Sequence, residues 1–538
     1  MTIDGVSVRA ILAEQTGRTR RNSKTDIRQF IGESELKITS LESQISILRD
    51  RERSCVDAPQ DIIPQIDTLV GLRDRERACV DVLRHIISPI RTLPIELLAE
   101  IFELTIDDES HFEDTYVEDT YRISQICSDW RVIAHATPRL WTQHIRVRLG
   151  IKQISGRKHY ADGLGAWWAR SAPLPVAVSF ERIRANIDPH VLEHVLRVAP
   201  RFRSLHCPSY LPVSLINRLG ECRLDNLEEL AVGSSYGYLN TVPLALTTAL
   251  RLRKLNMSIC STRVLVVTPL WAQLTDLTLR FNSLDNAIFD IMAQCTALTR
   301  ATIRTSGWYV DAATAQLPRL RAPLAFYHLH ILRLDFGALQ DYAFWGSVSA
   351  PALKELHLNF SKIQDRMQSA TPLTSFLIQS PNITRLEIQC GAQALTSPVL
   401  IEVLGHTPHL THLELIYPHP DTLIDHTPHL TVTPREFTHS FNDALIEALS
   451  YKNGVTPLVP HLHDFRLSNV DENEFATEAL AHLFFSRWHA DAEITSGPPA
   501  VARWRRVEVR GDFYSEQIRD SMEMLQRKGL PLELITVS

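Results

Sequence analysis

The most regular feature of the chain is a six-residue pattern in which apolar residues occupy the first, fourth and sixth positions. Ten runs follow it, the last more weakly: LEELAV 227–232, LRKLNM 252–257, LTDLTL 274–279, LTRATI 298–303, LHILRL 329–334, LKELHL 353–358, ITRLEI 383–388, LTHLEL 410–415, LHDFRL 462–467 and WRRVEV 504–509. The end of each run alternates apolar and polar residues, which is the period of a strand with one buried face. The pattern predicts one short strand per run.

The spacing of these runs predicts a repeat architecture. The first eight runs begin 22 to 31 residues apart, close to the leucine-rich-repeat period. Helical stretches such as 286–295 and 398–406 lie between runs and would cover one side of the strands. We therefore predict an α/β leucine-rich-repeat-like solenoid over residues 201–538. Residues 144–200 contain two more strand-like runs and are expected to connect to the solenoid and form its start.

One segment, from about residue 416 to 460, breaks this period. It lies near a repeated HTPHLT and brings seven histidines close together in sequence: His406, His409, His412, His419, His426, His429 and His439. Imidazole is a common zinc ligand, but no cysteine lies nearby and the cluster follows from a copied segment. We expect a solvated, substrate-facing loop here and no metal.

Residues 1–90 show helical periodicity. Apolar side chains recur at 3-4 spacing between Ile27 and Leu48, a coiled-coil pattern about three heptads long. This pattern leaves two alternatives open, which are coiled-coil self-association and packing back onto the same chain. The ten residues LRDRERSCVD at 48–57 return almost unchanged as LRDRERACVD at 72–81. Because prolines separate the two copies, they cannot continue one helical seam.

Residues 91–143 are predicted to form a small helical unit. A first amphipathic helix begins near Pro94, since proline suits the first turn of a helix. A second helix is predicted over 123–136, where apolar residues recur at helical spacing, and it ends before Pro138. Two short helices cannot bury both apolar faces alone, so we expect the remaining surface to need a partner.

The order of residues in this unit resembles the F-box. The matching positions are Leu93-Pro94, Glu96, Leu97, Ile101-Phe102, Ile123-Ser124, Ile126-Cys127, Trp130-Arg131, Ala134, Pro138 and Leu140-Trp141. The resemblance implies docking to a Skp1-like adaptor and, through it, to a cullin. The residues that it implies as contacts or as the supporting core are Leu93, Pro94, Leu97, Ile101, Phe102, Ile123, Cys127, Trp130, Leu140 and Trp141.

The unit departs from the compact F-box pattern in one respect. An acidic stretch at 107–121 lengthens the separation between Phe102 and Trp130. We expect a solvated loop there, because an insertion of this size adds little closure entropy. The stretch leaves open whether the two helices keep the geometry of the F-box.

Composition narrows the functional classes. The net charge of -6 gives no concentrated basic surface for nucleic acid, and no run approaches the roughly 20 apolar residues of a membrane span. The eight cysteines are scattered without metal-ligand spacing. We therefore expect a cytoplasmic or nuclear protein, or one in both compartments, that binds neither nucleic acid nor membranes.

No phosphate loop, nucleophile elbow or zinc-protease motif occurs in the sequence. We therefore expect no intrinsic active site and no cofactor. The resulting hypothesis is a non-catalytic subunit of a ubiquitin ligase, which docks through residues 91–143 and captures an unknown target protein on the concave face of the solenoid. One alternative is a scaffold that uses its coiled coil and repeats outside any ligase. Another is an enzyme with an unrecognised site in the insert at 416–460.

Overall fold

The structure is a computed structural model in which the chain forms two compact units, Met1–Leu140 and Trp141–Ser538. The residues that it describes are 24–54, 62–106, 115–150, 157–181, 187–207, 213–233, 244–259, 267–268, 270–281, 291–305, 324–336, 348–360, 371–389, 395–416, 443–471, 477–488, 501–512 and 516–536. None of the helices within these ranges is long and apolar enough to cross a membrane.

The first unit begins with two long helices, α1 (Lys24–Ser54) and α2 (Ile62–Ile87). The start of α1 packs against the end of α2 through a buried cluster of Ile27, Ile31, Val80 and Leu83, so the helices run antiparallel. The predicted coiled-coil seam thus lies on a helix, and its first residues pack against α2 of the same chain. Self-association stays a prediction.

The duplicated ten residues lie on different helices, as predicted. The first copy reaches the end of α1, with 55–57 outside the described residues, and the second lies within α2. The second copy contributes Arg77 and Cys79 to the face of α2 that meets α1, where Arg77 pairs with Glu42.

The rest of the first unit consists of short helices, the last of which ends at Trp141, the first residue of the second unit. They are a 3-10 turn at Pro89–Thr92, α3 (Ile95–Thr105), α4 (Thr115–Ile126), α5 (Ser128–Ala136) and a second 3-10 turn at Pro138–Trp141. Two predictions were wrong here. The acidic stretch at 107–121 is not a loop throughout, because α4 begins at Thr115, and residues 107–114 lie outside the described part of the chain.

The predicted single helix over 123–136 was also wrong, since the chain breaks at Cys127. This residue is extended, with φ -154° and ψ 173°, and its Sγ accepts a hydrogen bond from the backbone N–H of Trp130. A side chain that accepts from an N–H of the first turn is what starts a helix. Cys127 therefore ends α4 and caps α5.

The second unit is built on one parallel sheet of 14 strands, in the order β1-β2-β3-β4-β6-β8-β9-β11-β13-β14-β15-β16-β17-β18. Its strands are β1 (Ile145–Val147), β2 (Val176–Phe180), β3 (Phe202–Cys207), β4 (Glu229–Val232), β6 (Lys254–Ile259), β8 (Asp276–Phe281), β9 (Arg300–Thr305), β11 (Ile331–Asp335), β13 (Glu355–Asn359), β14 (Arg385–Gln389), β15 (His412–Ile416), β16 (Asp464–Asp471), β17 (Arg506–Asp512) and β18 (Leu532–Thr536). Two small two-stranded sheets pair β5 (Leu244–Ala245) with β7 (Val267–Thr268), and β10 (Leu324–Ala325) with β12 (Val348–Ser349).

Helices lie between many of these strands in the chain. They are α6 (Arg157–Arg170), α7 (Pro189–Val198), α8 (Val213–Gly220), α9 (Thr371–Ile378), α10 (Ser397–Gly405), α11 (Asp443–Leu449), α12 (Thr477–Trp488) and α13 (Glu516–Arg527). The predicted helix at 398–406 is confirmed by α10. Of the stretch 286–295, residues 286–290 lie outside the described residues and 291–294 are helical.

The strand predictions are confirmed in all ten runs, and each strand begins at the third residue of its run. The two strand-like runs in 144–200 contain β1 and β2. In β14 the side chains of Leu386 and Ile388 are buried, whereas those of Arg385, Glu387 and Gln389 are only partly covered. The sheet therefore has a covered face and an open face, consistent with an α/β solenoid-like fold.

The segment that breaks the repeat period lies between β15 and β16. Residues 417–442 are outside the described residues, so four of the seven predicted clustered histidines cannot be placed: His419, His426, His429 and His439. The rest of the segment contains α11, whose Leu445, Ile446 and Leu449 are buried. The described part of the insert thus contributes to the core and is not wholly a solvated loop.

Candidate functional site

Helix α3 begins directly after a proline, at a position where the helix needs no backbone N–H. Pro94 takes the N-cap position and its carbonyl oxygen accepts the N–H of Leu98 at 3.1 Å. Glu96 follows in the first turn, where a negative charge suits the helix dipole. The buried side chains of Leu98 and Phe102 then lie on one face of the helix.

A neighbouring face of α3 carries apolar side chains that this protein leaves in solvent. Leu97, Ile101 and Leu104 are all exposed, Leu104 to 85%. They lie four and three residues apart, so they share one helix face. We call these three residues the α3 patch. Burying such a side chain against a partner would contribute about 1.5–3 kcal/mol to binding. The patch is therefore a candidate partner-binding surface.

The covered side of α3 packs against α5. The rings of Phe102 and Trp130 lie 4.7 Å apart between centroids, tilted by 48°. Ile133 of α5 and Leu140 are buried in the same unit, and the Thr120 hydroxyl of α4 donates to the Leu140 carbonyl oxygen at 3.5 Å. These contacts hold α3 to α5, and α4 to the second 3-10 turn.

The structure divides the ten residues that the F-box resemblance implies. Pro94, Leu97 and Ile101 are exposed; Leu93, Cys127 and Trp130 are partly buried; Phe102, Ile123, Leu140 and Trp141 are buried. The exposed ones can touch a partner as they stand. The buried ones support the unit, except that Trp141 belongs to the second unit, where its ring meets Trp167 at 4.8 Å and Arg170 lies over it at 4.6 Å.

Sequence reasoning missed several exposed apolar residues in this region. Leu104 completes the α3 patch, and Ile95 and Val132 are exposed as well, Val132 to 69%. Leu104 could have been found, because it lies three residues after Ile101 on the same helical face. Val132 could not, since its place on the surface depends on where α5 begins.

The open face of the sheet is a second candidate binding surface. At one register position, adjacent strands bring together a row that we call the charge ladder: Arg333, His357, Glu387, Glu414, Arg466, Glu508 and Glu533. Polar side chains at matched positions of parallel strands face their neighbours directly. The ladder is therefore a continuous polar stripe across seven strands.

Charges in the ladder largely neutralise one another. His357 Nδ1 lies 2.5 Å from Glu387 Oε2, and this hydrogen bond lowers the pKa of Glu387. Burial raises the pKa of Glu414, with the neighbouring Glu387 charge adding to the shift.

A buried carboxylate lies at the C-terminal end of the ladder. Glu508 is only 1% exposed and lies close to three arginines: Arg466 at 3.6 Å, Arg506 at 3.1 Å and Arg510. Such a mixed surface suits a protein partner better than a nucleic acid.

One group of side chains in the described part of the chain has the donors to hold a metal ion. It consists of His412, His463 and Asp464, whose ligand atoms all lie within 4.8 Å of one another. His412 begins β15 and Asp464 begins β16, directly opposite each other in the sheet. The histidine-rich sequence pointed to His412 but not to its two neighbours here.

Comparison with models of known protein families finds no match, and comparison with curated proteins finds none either. Functional interpretation of the chain therefore depends on its own residues and their geometry. The interpretation is based on two surfaces: the α3 patch in the first unit and the open face of the sheet in the second.

Proposed function

We propose that this protein is the substrate-recruiting F-box subunit of a Skp1–cullin–F-box ubiquitin ligase. The observation that carries the proposal is the α3 patch, because it lies inside the segment whose residue order resembles the F-box. Its exposed side chains include Leu97 and Ile101, two of the positions that the resemblance assigns to the Skp1 interface.

The packing behind the patch supports the same role. Phe102 is 1% exposed and packs against the Trp130 ring, and Leu98 is buried on the same side of α3. Because one side of α3 is packed against the rest of the unit, the exposed side chains have a defined arrangement, which lowers the entropy cost of binding. The α3 patch is thus a preorganised surface.

The second unit supplies the platform for a target in this proposal. The proposal takes its repeats as leucine-rich repeats, and it is supported by the burial of the apolar residues that begin the runs, such as Leu353 and Leu410. The open face offers hydrogen-bonding and charged side chains over many strands, so a target can be recognised by complementary charge. The ubiquitin-charged enzyme comes with other subunits, and this chain acts by raising the local concentration of the target.

The proposal makes the protein a non-catalytic adaptor of the cytoplasm, the nucleus or both. Co-purification of the intact chain with Skp1 and a cullin tests it. We expect both partners with the intact chain and neither with Leu93→Ala plus Pro94→Ala. Failure of the folded, intact chain to bind Skp1, with the double variant behaving identically, would overturn the proposal and favour a scaffold outside any ligase.

A further inference from the structure

Two successive runs of the second unit align so that their polar residues meet. The segments PHLTHLEL at 408–415 and PHLHDFRL at 460–467 precede and form β15 and β16. The N–H groups of His463 and Asp464 both donate to the Thr411 carbonyl oxygen, at 3.1 and 3.0 Å. This pairing places His412 opposite Asp464 and sets His463 beside both of them.

The donor atoms of these three side chains converge. Asp464 Oδ2 lies 2.9 Å from His412 Nε2 and 3.7 Å from His463 Nδ1. Ligand atoms around a tetrahedral zinc ion are about 3.3 Å apart, since zinc–nitrogen and zinc–oxygen bonds are about 2.0–2.1 Å long. These two separations bracket that value, and the ligand atoms of His412 and His463 lie within 4.8 Å of each other. Side-chain adjustment that brings the two imidazoles to about 3.3 Å would let one metal ion bind all three.

Hydrogen bonds hold the His412 ring in place. The Thr411 hydroxyl donates to the Thr384 carbonyl oxygen at 2.9 Å and lies 2.8 Å from His412 Nδ1. Nε2, on the other side of the ring, faces the Asp464 carboxylate. In the tautomer with its proton on Nδ1, Nε2 presents the lone pair that a metal ion binds.

Two atoms of His463 and Asp464 lack hydrogen-bond partners. Within the described residues, His463 Nδ1 and Asp464 Oδ1 are buried atoms without a hydrogen-bond partner. Leaving such atoms unsatisfied costs about 1–3 kcal/mol each. A proton on His412 satisfies neither of them, whereas a metal ion between the three side chains would bind His463 Nδ1 directly and place a charge beside the carboxylate.

One arginine lies close to the three side chains. The nearby Arg506 guanidinium is held at 3.1 Å by Glu508 and at 3.2 Å by Glu533, so carboxylates already compensate its charge.

We propose that His412, His463 and Asp464 form a binding site for a divalent transition-metal ion of the zinc class, with the fourth position left to water or to a side chain of a bound protein. Such an ion would tie β15 to β16, the strands on either side of the segment that breaks the repeat period. This revises the expectation from sequence, which considered only histidines near one another along the chain. The proposal is independent of docking to Skp1.

Zinc titration of the full-length, chelator-treated protein by calorimetry tests the site. We expect one ion per chain, a higher melting temperature with zinc than with chelator, and the visible absorption of four-coordinate cobalt when Co²⁺ replaces zinc. His463→Ala and Asp464→Asn should each weaken zinc binding at least tenfold. The matched control is His330→Ala, because His330 precedes β11 just as His463 precedes β16, but Ile331 follows it.

Several results would overturn the proposal. They are the absence of zinc binding by the folded wild-type chain, binding that survives both site variants, and an equal loss in His330→Ala. Binding that survives would come from other histidines of the chain. Circular dichroism in chelator checks that each variant is folded, and Asp464→Asn, which keeps the shape of the side chain, supplies the test if His463→Ala does not fold.

Discussion

Phe102 of α3 packs its ring against Trp130 of α5, with ring centroids 4.7 Å apart. This contact connects the two halves of the segment that resembles the F-box, although the acidic stretch separates them in sequence. The acidic insertion therefore does not prevent α3 and α5 from packing together. This pair is one of the contacts that hold α3, and with it the α3 patch, in position.

The first prediction concerns that pair. Phe102→Ala should destabilise the helical unit by about 3–5 kcal/mol, since it removes a buried aromatic side chain and leaves a cavity. Hydrogen exchange should then accelerate in α3 and α5 while the sheet of the second unit keeps its protection. Leu104→Ala on the same helix is the control, because its side chain is 85% exposed and its loss should change stability by less than about 0.5 kcal/mol. Equal effects of the two substitutions would contradict the packing described.

The second prediction concerns the buried carboxylate of the charge ladder. Glu508→Gln should destabilise the C-terminal repeats by about 1.5–3 kcal/mol, because the buried group would lose its charge-assisted contacts with Arg466, Arg506 and Arg510. Glu533→Gln on the next strand should cost less than about 1 kcal/mol, since its side chain is largely exposed. Chemical denaturation of both variants measures the difference, and a loss no larger in Glu508→Gln than in Glu533→Gln would count against the buried charge cluster.

The third prediction is a pH dependence. The hydrogen bond from His357 lowers the folded-state pKa of Glu387, with smaller contributions from Arg385 and Arg333. A carboxyl group whose pKa is lower in the folded than in the unfolded state stabilises the fold above its unfolded value of about 4.3. That stability is lost as the pH falls through the folded pKa. Melting temperatures between neutral and acidic pH should therefore fall less steeply in Glu387→Gln than in the wild type, and parallel curves would refute the assignment.

How far the fold could be predicted differs between the two units. The strands were predictable because a leucine or similar residue recurs at fixed places, and each such residue is buried, as Leu227 and Leu462 are. β3 was missed although FRSLHC follows the same pattern, since Phe202 and Cys207 replace the usual aliphatic residues. β18 was missed as well.

The helix boundary at Cys127 was not predictable from periodicity. Ile123, Ile126, Trp130 and Ile133 keep helical spacing across the break, so the pattern alone reads as one helix. A sulfur that accepts a backbone N–H is a weak cap, and cysteine is not among the residues that usually signal a helix start.

The site at His463 and Asp464 was not predicted for a different reason. It forms only when two runs that are distant in sequence become neighbouring strands.

The most direct test of the central claim is the dissociation constant of the complex between the full-length protein and purified Skp1, measured for the wild type and for a variant with an altered α3 patch. We predict a one-to-one complex for the wild type. Leu97→Asp plus Ile101→Asp should weaken it by about a hundredfold or more, as expected when two buried apolar contacts worth about 1.5 kcal/mol each are lost. Leu36→Asp, at an exposed apolar position of α1, should leave the dissociation constant within about twofold. Absence of a complex with folded wild-type protein, or equal affinity of the patch variant and the wild type, would contradict the account.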